Sequence, residues 1–421
     1  MRRRGTLAAP TFKTHDKPAP AKAGAGFFLR AIAAGVFCRQ ITTTGGGAIQ
    51  WEYRQPVVIH FGNGKLAQLS DEIDALEGTR ALLVTSEGFV KRHVVSAIVD
   101  DCEEGIAAVY PDVKPNAPYQ ECQACVDLIK EKDCDIVVAL GDGSVMDTAK
   151  AAACICTGMR TVHSFLGHAD ELPGKGLPVI AIPTTAGTAS EVTRVSVLSD
   201  PQEHVKYSMH NDALFADVAL VDPELTYTLP KHATASTGMD VLCHALEGYW
   251  SVNHQPITDT MAFGSLKRVF KYLHIACRDP ENAEAREGMA EASILAGLTF
   301  ALPGTTGPHA CSYPITSLFD IDHGEACGMT IVDFLYLNAA ADEDGRIIKL
   351  ARRLGFGNID EMANRIIELK VQAGLLQNLK SFSPTKEQID RMVADSKNST
   401  LLRNPVKVTD EDLYRIFEGL C

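Results

Sequence analysis

The sequence predicts a doubly wound α/β domain followed by an all-helical domain, and two observations support this prediction. Short β-branched runs, almost wholly apolar, alternate with amphipathic stretches up to about residue 222. Near-continuous apolarity is typical of strands that are buried on both faces of a parallel sheet. Beyond residue 230 the strand pattern ends and only helical periodicity remains. We therefore expect an α/β domain over residues 51–230 and a helical domain over residues 231–421.

The individual elements follow from the same patterns. Clear strand candidates are residues 56–62, 81–86, 135–141 and 176–184. Between them, residues 119–132 carry apolar side chains at helical spacing. The predicted helices of the second half are 232–250, 256–275, 282–300, 343–354, 359–374 and 384–397. A last helix should begin at Thr409, because this hydroxyl and the carboxylate of Asp412 can cap the exposed amides of the first turn.

The first fifty residues differ from the rest of the chain. They contain eight Lys or Arg residues and a single acid, Asp16. Such a composition is typical of a transit peptide and equally of a disordered leader, so we expect residues 1–50 to have no catalytic role. The whole chain has a formal net charge of −13, which argues against nucleic acid or an anionic membrane as the main partner. No segment has the composition of a membrane span.

The twelve cysteines are scattered, and many lie in apolar runs. This usage is typical of reduced, buried thiols in a cytoplasmic protein rather than of a disulfide framework. Cys122 and Cys125 have CxxC spacing, but a zinc site would need a second pair, which the sequence lacks. We therefore predict that both pack inside a helix.

Two loops rich in Gly and Thr follow predicted strands and suit a bound pyrophosphate. Gly141 and Gly143 permit positive backbone dihedrals and a close approach of the backbone. The helix that follows them points unpaired amides at the strand end. The second loop, 184–193, offers hydroxyls that can bond phosphate and ribose oxygens. The GxGxxG pattern is absent, so an ordinary tight turn is the alternative, and Asp142 must point away from a pyrophosphate.

A second set of residues has the composition of a metal site. Asp240 and His244 lie four residues apart in a predicted helix, which places them on one face. His309 and His323 follow later, among apolar and small residues. One carboxylate and three imidazoles can bind a divalent first-row metal that polarises a carbonyl oxygen. The alternatives are a solvated helix face and core histidines, and Glu247 either supports the site or is exposed.

In their order and spacing, five segments resemble the iron-containing (group III) alcohol dehydrogenases. They are GDGSVMDTAK (141–150), PTTAGTASEVT (183–193), DPELTYTLP (222–230), TGMDVLCHALEGYW (237–250) and GPHACSYP (307–314) with the DHG that follows it (322–324). The resemblance runs from about residue 52 to the C-terminus. It implies a dehydroquinate synthase-like fold, with a metal between a dinucleotide-binding domain and a helical domain. It also implies hydride transfer between NADH or NADPH and a small aldehyde or primary alcohol.

Carried over residue by residue, the resemblance assigns roles to the segments above. The implied metal ligands are Asp240, His244, His309 and His323. The implied dinucleotide-binding residues are Gly141, Gly143, Ser144, Asp147, Thr184, Thr185, Thr188 and Lys206. Within this set, Asp147 is expected near the nicotinamide and Lys206 near the ribose. The resemblance further implies Fe²⁺, with Zn²⁺ as the alternative ion, and a homodimer.

Two positions depart from the family pattern. Many members carry a histidine where this chain has Tyr313, so a tyrosine hydroxyl or a water must relay protons here. Members selective for NAD usually carry an acid where this chain has Ser86. A neutral Ser86 removes repulsion against a 2′-phosphate that Lys91 or Arg92 could attract, whereas Glu87 could bond the ribose diol. The sequence therefore leaves NADH and NADPH open.

Three strings are similar to a subset of phosphonoacetaldehyde reductases, which make 2-hydroxyethylphosphonate. They are VTRVSVL (192–198), GYWSVN (248–253) and HACSYP (309–314). We therefore expect phosphonoacetaldehyde as substrate, with Arg194 either binding the phosphonate or forming an ion pair. The alternatives are a general short-chain alcohol dehydrogenase, a lactaldehyde or 1,3-propanediol-type reductase, and a non-catalytic dinucleotide- or metal-binding protein. A related cyclase is disfavoured, because such enzymes bind their metal with a Glu and two His.

Overall fold

The structure is a computed structural model that describes residues 51–102, 105–203 and 205–421. The predicted leader, residues 1–50, lies outside the described residues.

A six-stranded parallel sheet forms the centre of the first half of the chain. Its strands are β1 (Val58–Phe61), β2 (Ala81–Thr85), β3 (Ile106–Tyr110), β4 (Ile136–Gly141), β5 (Val179–Pro183) and β8 (Val218–Val221), in the order β1-β8-β5-β4-β2-β3. Strands β2, β4 and β5 are buried along their whole length, which explains their continuous apolar composition. Two further strands, β6 (Val195–Asp200) and β7 (Val205–His210), form a separate antiparallel pair that was not predicted.

Five helices accompany the sheet within the described residues. They are α1 (Leu69–Ala75), α2 (Glu87–Lys91), α3 (Val94–Asp101), α4 (Tyr119–Glu131) and α5 (Gly143–Ile155). Helix α4 buries Cys122 and Cys125 as free thiols, as the helix-packing prediction requires. Helix α5 follows β4 almost directly, so the strand delivers the first glycine loop to the helix N-terminus.

After Val221 the described chain contains helices and no strand. The helices are α6 (Lys231–Trp250), α7 (Pro256–Arg278), α8 (Ala283–Phe300), α9 (Gly307–Phe319), α10 (His323–Ala340), α11 (Arg346–Arg353), α12 (Ile359–Ala373), α13 (Lys386–Asp395) and α14 (Asp410–Leu420). Helix α6 packs against α7, α8 and α10, and it is buried almost throughout. Thr409 and Asp412 form the predicted reciprocal cap of α14. The predicted fold class, a parallel α/β domain followed by a helical domain, is thus confirmed.

Helices α9 and α10 were not among the predicted helices, although they carry two of the predicted metal ligands. The sequence did not predict α9 because Pro308 lies at its start and Pro314 inside it, and proline usually ends or kinks a helix. Helix α10 is buried continuously from Gly324 to Ile331, so no one-sided apolar stripe is visible in its sequence. None of the helices in the described ranges is long and apolar enough to cross a membrane.

Candidate metal centre and dinucleotide cleft

Helix α6 presents Asp240 and His244 on one buried face, as their spacing predicted. The two side chains are almost completely inaccessible, and Asp240 Oδ2 lies 3.8 Å from His244 Nδ1. The His244 ring stacks on Phe300 at the end of α8, with 4.0 Å between the ring centroids. This stacking holds the imidazole plane in place.

Helices α9 and α10 bring the remaining two imidazoles to the same point. His309 Nε2 lies 3.4 Å from Asp240 Oδ1 and 3.0 Å from His244 Nε2, and His323 Nε2 lies 4.0 Å from Asp240 Oδ1. Among the described residues, Asp240 Oδ1 and His244 Nδ1 are buried without a hydrogen-bond partner. Buried polar atoms rarely remain unpaired, so this orphaned carboxylate oxygen among imidazole nitrogens fits a bound cation. The four predicted ligands are therefore together in space.

Glu247 is fully buried and supports His309, which settles the open question of its exposure. Its Oε1 accepts a hydrogen bond from His309 Nδ1 at 2.5 Å, and its Oε2 accepts one from Thr306 N at 2.6 Å. The carboxylate therefore fixes the tautomer in which His309 Nε2 is free to bind a metal. Thr306 in turn accepts a hydrogen bond from the indole of Trp250 at 2.8 Å.

Ser312 orients His323 in a similar way. Its hydroxyl donates to the carbonyl of His309 at 2.8 Å and lies 3.4 Å from His323 Nδ1. With Nδ1 turned toward Ser312, the other nitrogen of His323 faces Asp240.

A thiol that the sequence reasoning did not identify lies in the same cluster. Cys327 Sγ is 3.8 Å from His323 Nε2. The ligand atoms of Asp240, His309, His323 and Cys327 all lie within 4.8 Å of one another. The available signal was the four-residue spacing between His323 and Cys327, which places both on one helix face only once α10 is known to be a helix.

Burial and neighbouring charges set the protonation states at the centre. Burial lowers the pKa of His244 to about 4, so its imidazole is neutral at pH 7 and offers a lone pair. Burial opposes a charged His309, but Cys327 and Glu247 outweigh it and hold the pKa of His309 well above its usual value, so an ion that binds at Nε2 must displace a proton. Burial would raise the pKa of Asp240, yet the imidazoles, His244 foremost, lower it. The centre therefore keeps an ionised carboxylate at neutral pH.

The first glycine loop is close-packed rather than left-handed. Neither Gly141 nor Gly143 has a positive φ, so the expectation of positive backbone dihedrals was wrong. A Cβ at Gly141 would lie 2.4 Å from Val145 Cγ2, and one at Gly143 would lie 2.7 Å from Thr188 Cγ2. Glycine is required because the loop, its helix and the second loop leave no room for a side chain.

The start of α5 resolves the difficulty with Asp142. Its carboxylate accepts a hydrogen bond from Val145 N at 3.2 Å and so caps the helix. One turn on, Asp147 accepts hydrogen bonds from Ser190 Oγ at 2.5 Å and from Val197 N at 2.8 Å. Asp147 therefore ties α5 to the second loop and to β6, while its proximity to a nicotinamide stays a prediction.

The second loop lies directly against the metal-bearing helix. A Cβ at Gly187 would lie 2.6 Å from Thr237 Cβ, three residues before Asp240 on α6. In the same loop, Thr184 is buried, and Thr185 Oγ1 is buried without a partner among the described residues. The predicted dinucleotide loop and the predicted metal site are thus adjacent, as hydride transfer requires.

The other predicted cofactor residues surround this cleft. Lys206 Nζ donates to Asn116 Oδ1 at 2.9 Å, and the backbone N–H of Asn116 donates to Ser144 Oγ at 3.2 Å, which links β7 to the start of α5. Ser86 precedes α2 without making a capping bond. Just beyond it, Lys91 Nζ forms a surface ion pair with Glu87 Oε1 at 2.9 Å. The cation that could attract a 2′-phosphate and the acid that could bond a ribose diol are thus paired with each other.

Tyr313 and Arg194 both have partners within the protein. The Tyr313 ring lies parallel to His323, with 6.2 Å between centroids, and burial raises the pKa of its hydroxyl, which bonds Thr400. Arg194 pairs with Asp212 at 2.8 Å, which was the alternative to a substrate role. Its Nε is buried without a hydrogen-bond partner in the described part of the chain, so the substrate role stays a prediction.

Comparison with known proteins agrees with this geometry. Residues 56–223 match the family model for iron-containing alcohol dehydrogenase, and residues 234–421 match the C-terminal model of the Fe-containing alcohol dehydrogenase family. The chain belongs to the iron-containing alcohol dehydrogenase family. It is therefore an oxidoreductase, in a family that uses a metal ion and NAD.

Relatives of several activities match over most of the chain. Long-chain-alcohol dehydrogenase 1 of Geobacillus thermodenitrificans is 34% identical over 86% of this chain and 95% of that protein. The 1,3-propanediol dehydrogenase of Citrobacter freundii is 30% identical over 87% and 98%. The sulfoacetaldehyde reductase of Bifidobacterium kashiwanohense, solved in complex with NAD⁺, is 44% identical, covers 89% of this chain and 99% of that one, and superposes with a TM-score of 0.86. These matches establish the family without selecting a phosphonoacetaldehyde reductase.

Proposed function

We propose that this enzyme reduces a small aldehyde that carries an anionic group, phosphonoacetaldehyde or its sulfonate analogue, and oxidises the corresponding alcohol in reverse. The observation that carries the hydride-transfer part is the contact between Gly187 of the second loop and Thr237 of α6. This contact supports hydride transfer, because the loop predicted to bind the dinucleotide touches the helix that carries two of the predicted metal ligands. The likeness to a sulfoacetaldehyde reductase supports the anionic substrate.

Asp240, His244, His309 and His323 would hold the metal, Fe²⁺ or alternatively Zn²⁺. A bound divalent ion supplies Lewis acidity toward a carbonyl oxygen, and NADH or NADPH supplies the hydride. Glu247 keeps His309 in the metal-binding tautomer.

Tyr313 lies beside His323, which supports it as the group that donates the proton taken up by the product alcohol. Its phenol carries a proton at neutral pH even with the ordinary pKa of tyrosine, and burial raises that pKa further. The glycine loops bring backbone amides close to the dinucleotide without adding charge. Dinucleotide selectivity stays open, since Lys91 and Glu87 neutralise each other beside Ser86.

Strand β7 and the segment before α14 carry basic residues that lie close to one another. Along β7, Lys206, Ser208 and His210 alternate on an exposed face, while Met209 on the opposite face is buried. Ser208 Oγ lies 3.0 Å from His210 Nε2. His210 is accessible at the surface, but the protein around its ring displaces water. This desolvation, followed by the charges of Arg403 and then Arg194, lowers the pKa of His210 to about 4, so both guanidinium groups act on this ring.

Arg403 also lies close to the chain that leads into α9. A Cβ at Gly304, five residues before His309, would lie 2.7 Å from Arg403 Cδ. Guanidinium groups bind phosphonate and sulfonate oxygens through charge-assisted, bidentate hydrogen bonds. This charge distribution supports an anionic aldehyde over a neutral one.

The test is NAD(P)H consumption by the metal-loaded enzyme with a panel of aldehydes. We expect phosphonoacetaldehyde and sulfoacetaldehyde to show higher kcat/KM than propionaldehyde, lactaldehyde and 3-hydroxypropionaldehyde. A preference for the neutral aldehydes would support a general or 1,3-propanediol-type reductase. The likeness to the 1,3-propanediol dehydrogenase of Citrobacter freundii favours this alternative. Consumption with none of them would support the non-catalytic alternative.

Variants locate the anion-binding group. Arg403→Ala should raise KM for phosphonoacetaldehyde at least about tenfold, since one hydrogen bond to a charged group contributes roughly 1.5–3 kcal/mol, and should leave KM for propionaldehyde little changed. Arg194→Ala tests the sequence-based candidate in the same way. Lys397→Ala removes an exposed cation paired with Asp410 and serves as the control. Equal effects on charged and neutral aldehydes would remove either arginine from the substrate role.

A cytoplasmic homodimer is part of the same proposal. The cytoplasmic location is supported by the cysteines of the described residues, which are all free and, except for Cys421, buried. Light scattering on the purified full-length enzyme measures the oligomeric state, and a monomeric mass would contradict the homodimer.

A further inference from the structure

We infer that Cys327 is a further ligand of the metal and that its sulfur makes the site prefer Zn²⁺ to Fe²⁺. This inference rests on the proposed metal site. It adds a donor that the four predicted ligands lack, and it changes the expected ion from the one in the family's name.

The position of the thiol is the first argument. Cys327 is fully buried and lies one helical turn after His323 on α10, so both side chains leave the helix on the same face. Its sulfur belongs to the group of donor atoms within 4.8 Å of one another, together with Asp240, His309 and His323. Cys327 is therefore close enough to bind the same ion as three of the four predicted ligands.

Helix packing keeps the thiol in that position. A Cβ at Gly324 would lie 2.0 Å from Ser236 O and 2.9 Å from Asp240 Cβ, and one at Gly328 would lie 2.5 Å from Met239 Cγ. The two glycines flank Cys327 and allow the backbone of α10 to lie directly on α6. This close contact between the two helices fixes the position of the Cys327 backbone relative to Asp240.

The chemistry of the donor set determines the preferred ion. Oxygen and imidazole nitrogen donors suit both Fe²⁺ and Zn²⁺, whereas a thiolate is a soft ligand. Zn²⁺ generally binds a given protein site more tightly than Fe²⁺ does. It also accepts mixed sulfur, nitrogen and oxygen ligands, because its filled d shell imposes no preferred geometry. On binding, the sulfur forms the bond to the ion as a thiolate, and the proton that the Cys327–His309 pair held leaves to solvent.

The first experiment loads the full-length enzyme with Co²⁺ alone and records its absorption spectrum. A sulfur–cobalt bond gives an intense near-ultraviolet charge-transfer band, which oxygen and nitrogen ligands do not give. We expect this band in the unsubstituted enzyme and its loss in Cys327→Ser and Cys327→Ala. Cys277→Ala, which removes a buried thiol from α7, is the matched control and should keep the band.

The unsubstituted enzyme decides the question even where a variant fails to fold. Visible ligand-field bands of bound Co²⁺ without the sulfur band would overturn the inference. So would a sulfur band that survives in folded Cys327→Ala, because another cysteine would then be its source.

The second experiment measures the preference for the ion. Metal-free enzyme is offered equal concentrations of Fe²⁺ and Zn²⁺ without oxygen, and the bound metals are counted by mass spectrometry. Cys327→Ser should lower the Zn²⁺-to-Fe²⁺ ratio at least about tenfold, since even residues that only support a ligand change metal affinity by 10–100-fold. An unchanged ratio would overturn the preference.

Neither readout depends on turnover, so the failure of this inference and the failure of the proposed function are distinguishable. A sulfur band without NAD(P)H consumption contradicts the aldehyde reductase alone. Aldehyde reduction by an enzyme without the band contradicts the role of Cys327 alone.

Discussion

Replacing Glu247 by Gln tests whether this buried carboxylate prepares His309 to bind a metal. The wild-type carboxylate accepts hydrogen bonds on both sides, from His309 Nδ1 at 2.5 Å and from Thr306 N at 2.6 Å. An amide of the same shape can accept on one side only. Its NH₂ group must face either His309 Nδ1 or the backbone N–H of Thr306.

Both orientations weaken the site. If the NH₂ group faces His309, Nδ1 must accept, the proton moves to Nε2, and the atom that would bind the metal is blocked. If it faces Thr306, a buried donor loses its partner, which costs roughly 1–3 kcal/mol. With the loss of one charge-assisted bond included, we expect the free energy of unfolding to fall by roughly 2–4 kcal/mol, and metal affinity to fall by about 10–100-fold.

Two measurements check these values. Competition with a chelator gives the Kd of the metal, and denaturant unfolding of the metal-free protein gives the stability difference. Glu368→Gln on the surface of α12 removes an exposed carboxylate whose partner among the described residues is Arg365, at 3.3 Å, and it should leave both quantities unchanged. If Glu247→Gln binds the metal as tightly as the unsubstituted enzyme, the tautomer argument is refuted.

Three further predictions follow from the same structure. Gly143→Ala places a Cβ 2.7 Å from Thr188 Cγ2, so dinucleotide fluorescence titration should show binding weakened by roughly 1–3 kcal/mol, the usual cost of overpacking. Burial raises the pKa of Glu191 to about 7 from an ordinary 4.5. The stability gained from the neutral acid is complete below pH 4.5 and is lost as pH rises through 7, so Glu191→Gln should gain up to roughly 3 kcal/mol over the unsubstituted enzyme between pH 5 and pH 8. Tyr313→Phe should lower kcat roughly a hundredfold, if its hydroxyl acts as the general acid, while Kd for the metal stays the same.

Each of these has an outcome that contradicts it. Unchanged dinucleotide affinity in Gly143→Ala would show that the two loops can separate without cost. A stability difference for Glu191→Gln that does not vary with pH would show that the carboxyl has its ordinary pKa. An unchanged kcat in Tyr313→Phe would assign the proton relay to water.

Part of this protein follows from local sequence alone. Strands β2, β4 and β5 are recognisable because strands buried on both faces must be apolar throughout. The Asp240–His244 face and the Thr409 cap depend only on residues within one turn of each other. Where neighbours along the chain determine a feature, the sequence is sufficient to predict it.

The rest was decided by tertiary structure. Helices α9 and α10 escaped prediction because one contains prolines and the other is buried on most of its faces, so neither shows a one-sided pattern. The burial of Glu247, the tight packing at Gly141 and Gly143, and the approach of Cys327 to His309 all depend on contacts between different elements. Such contacts are set by how closely helices and loops pack together, and residue spacing along a chain carries no record of that distance.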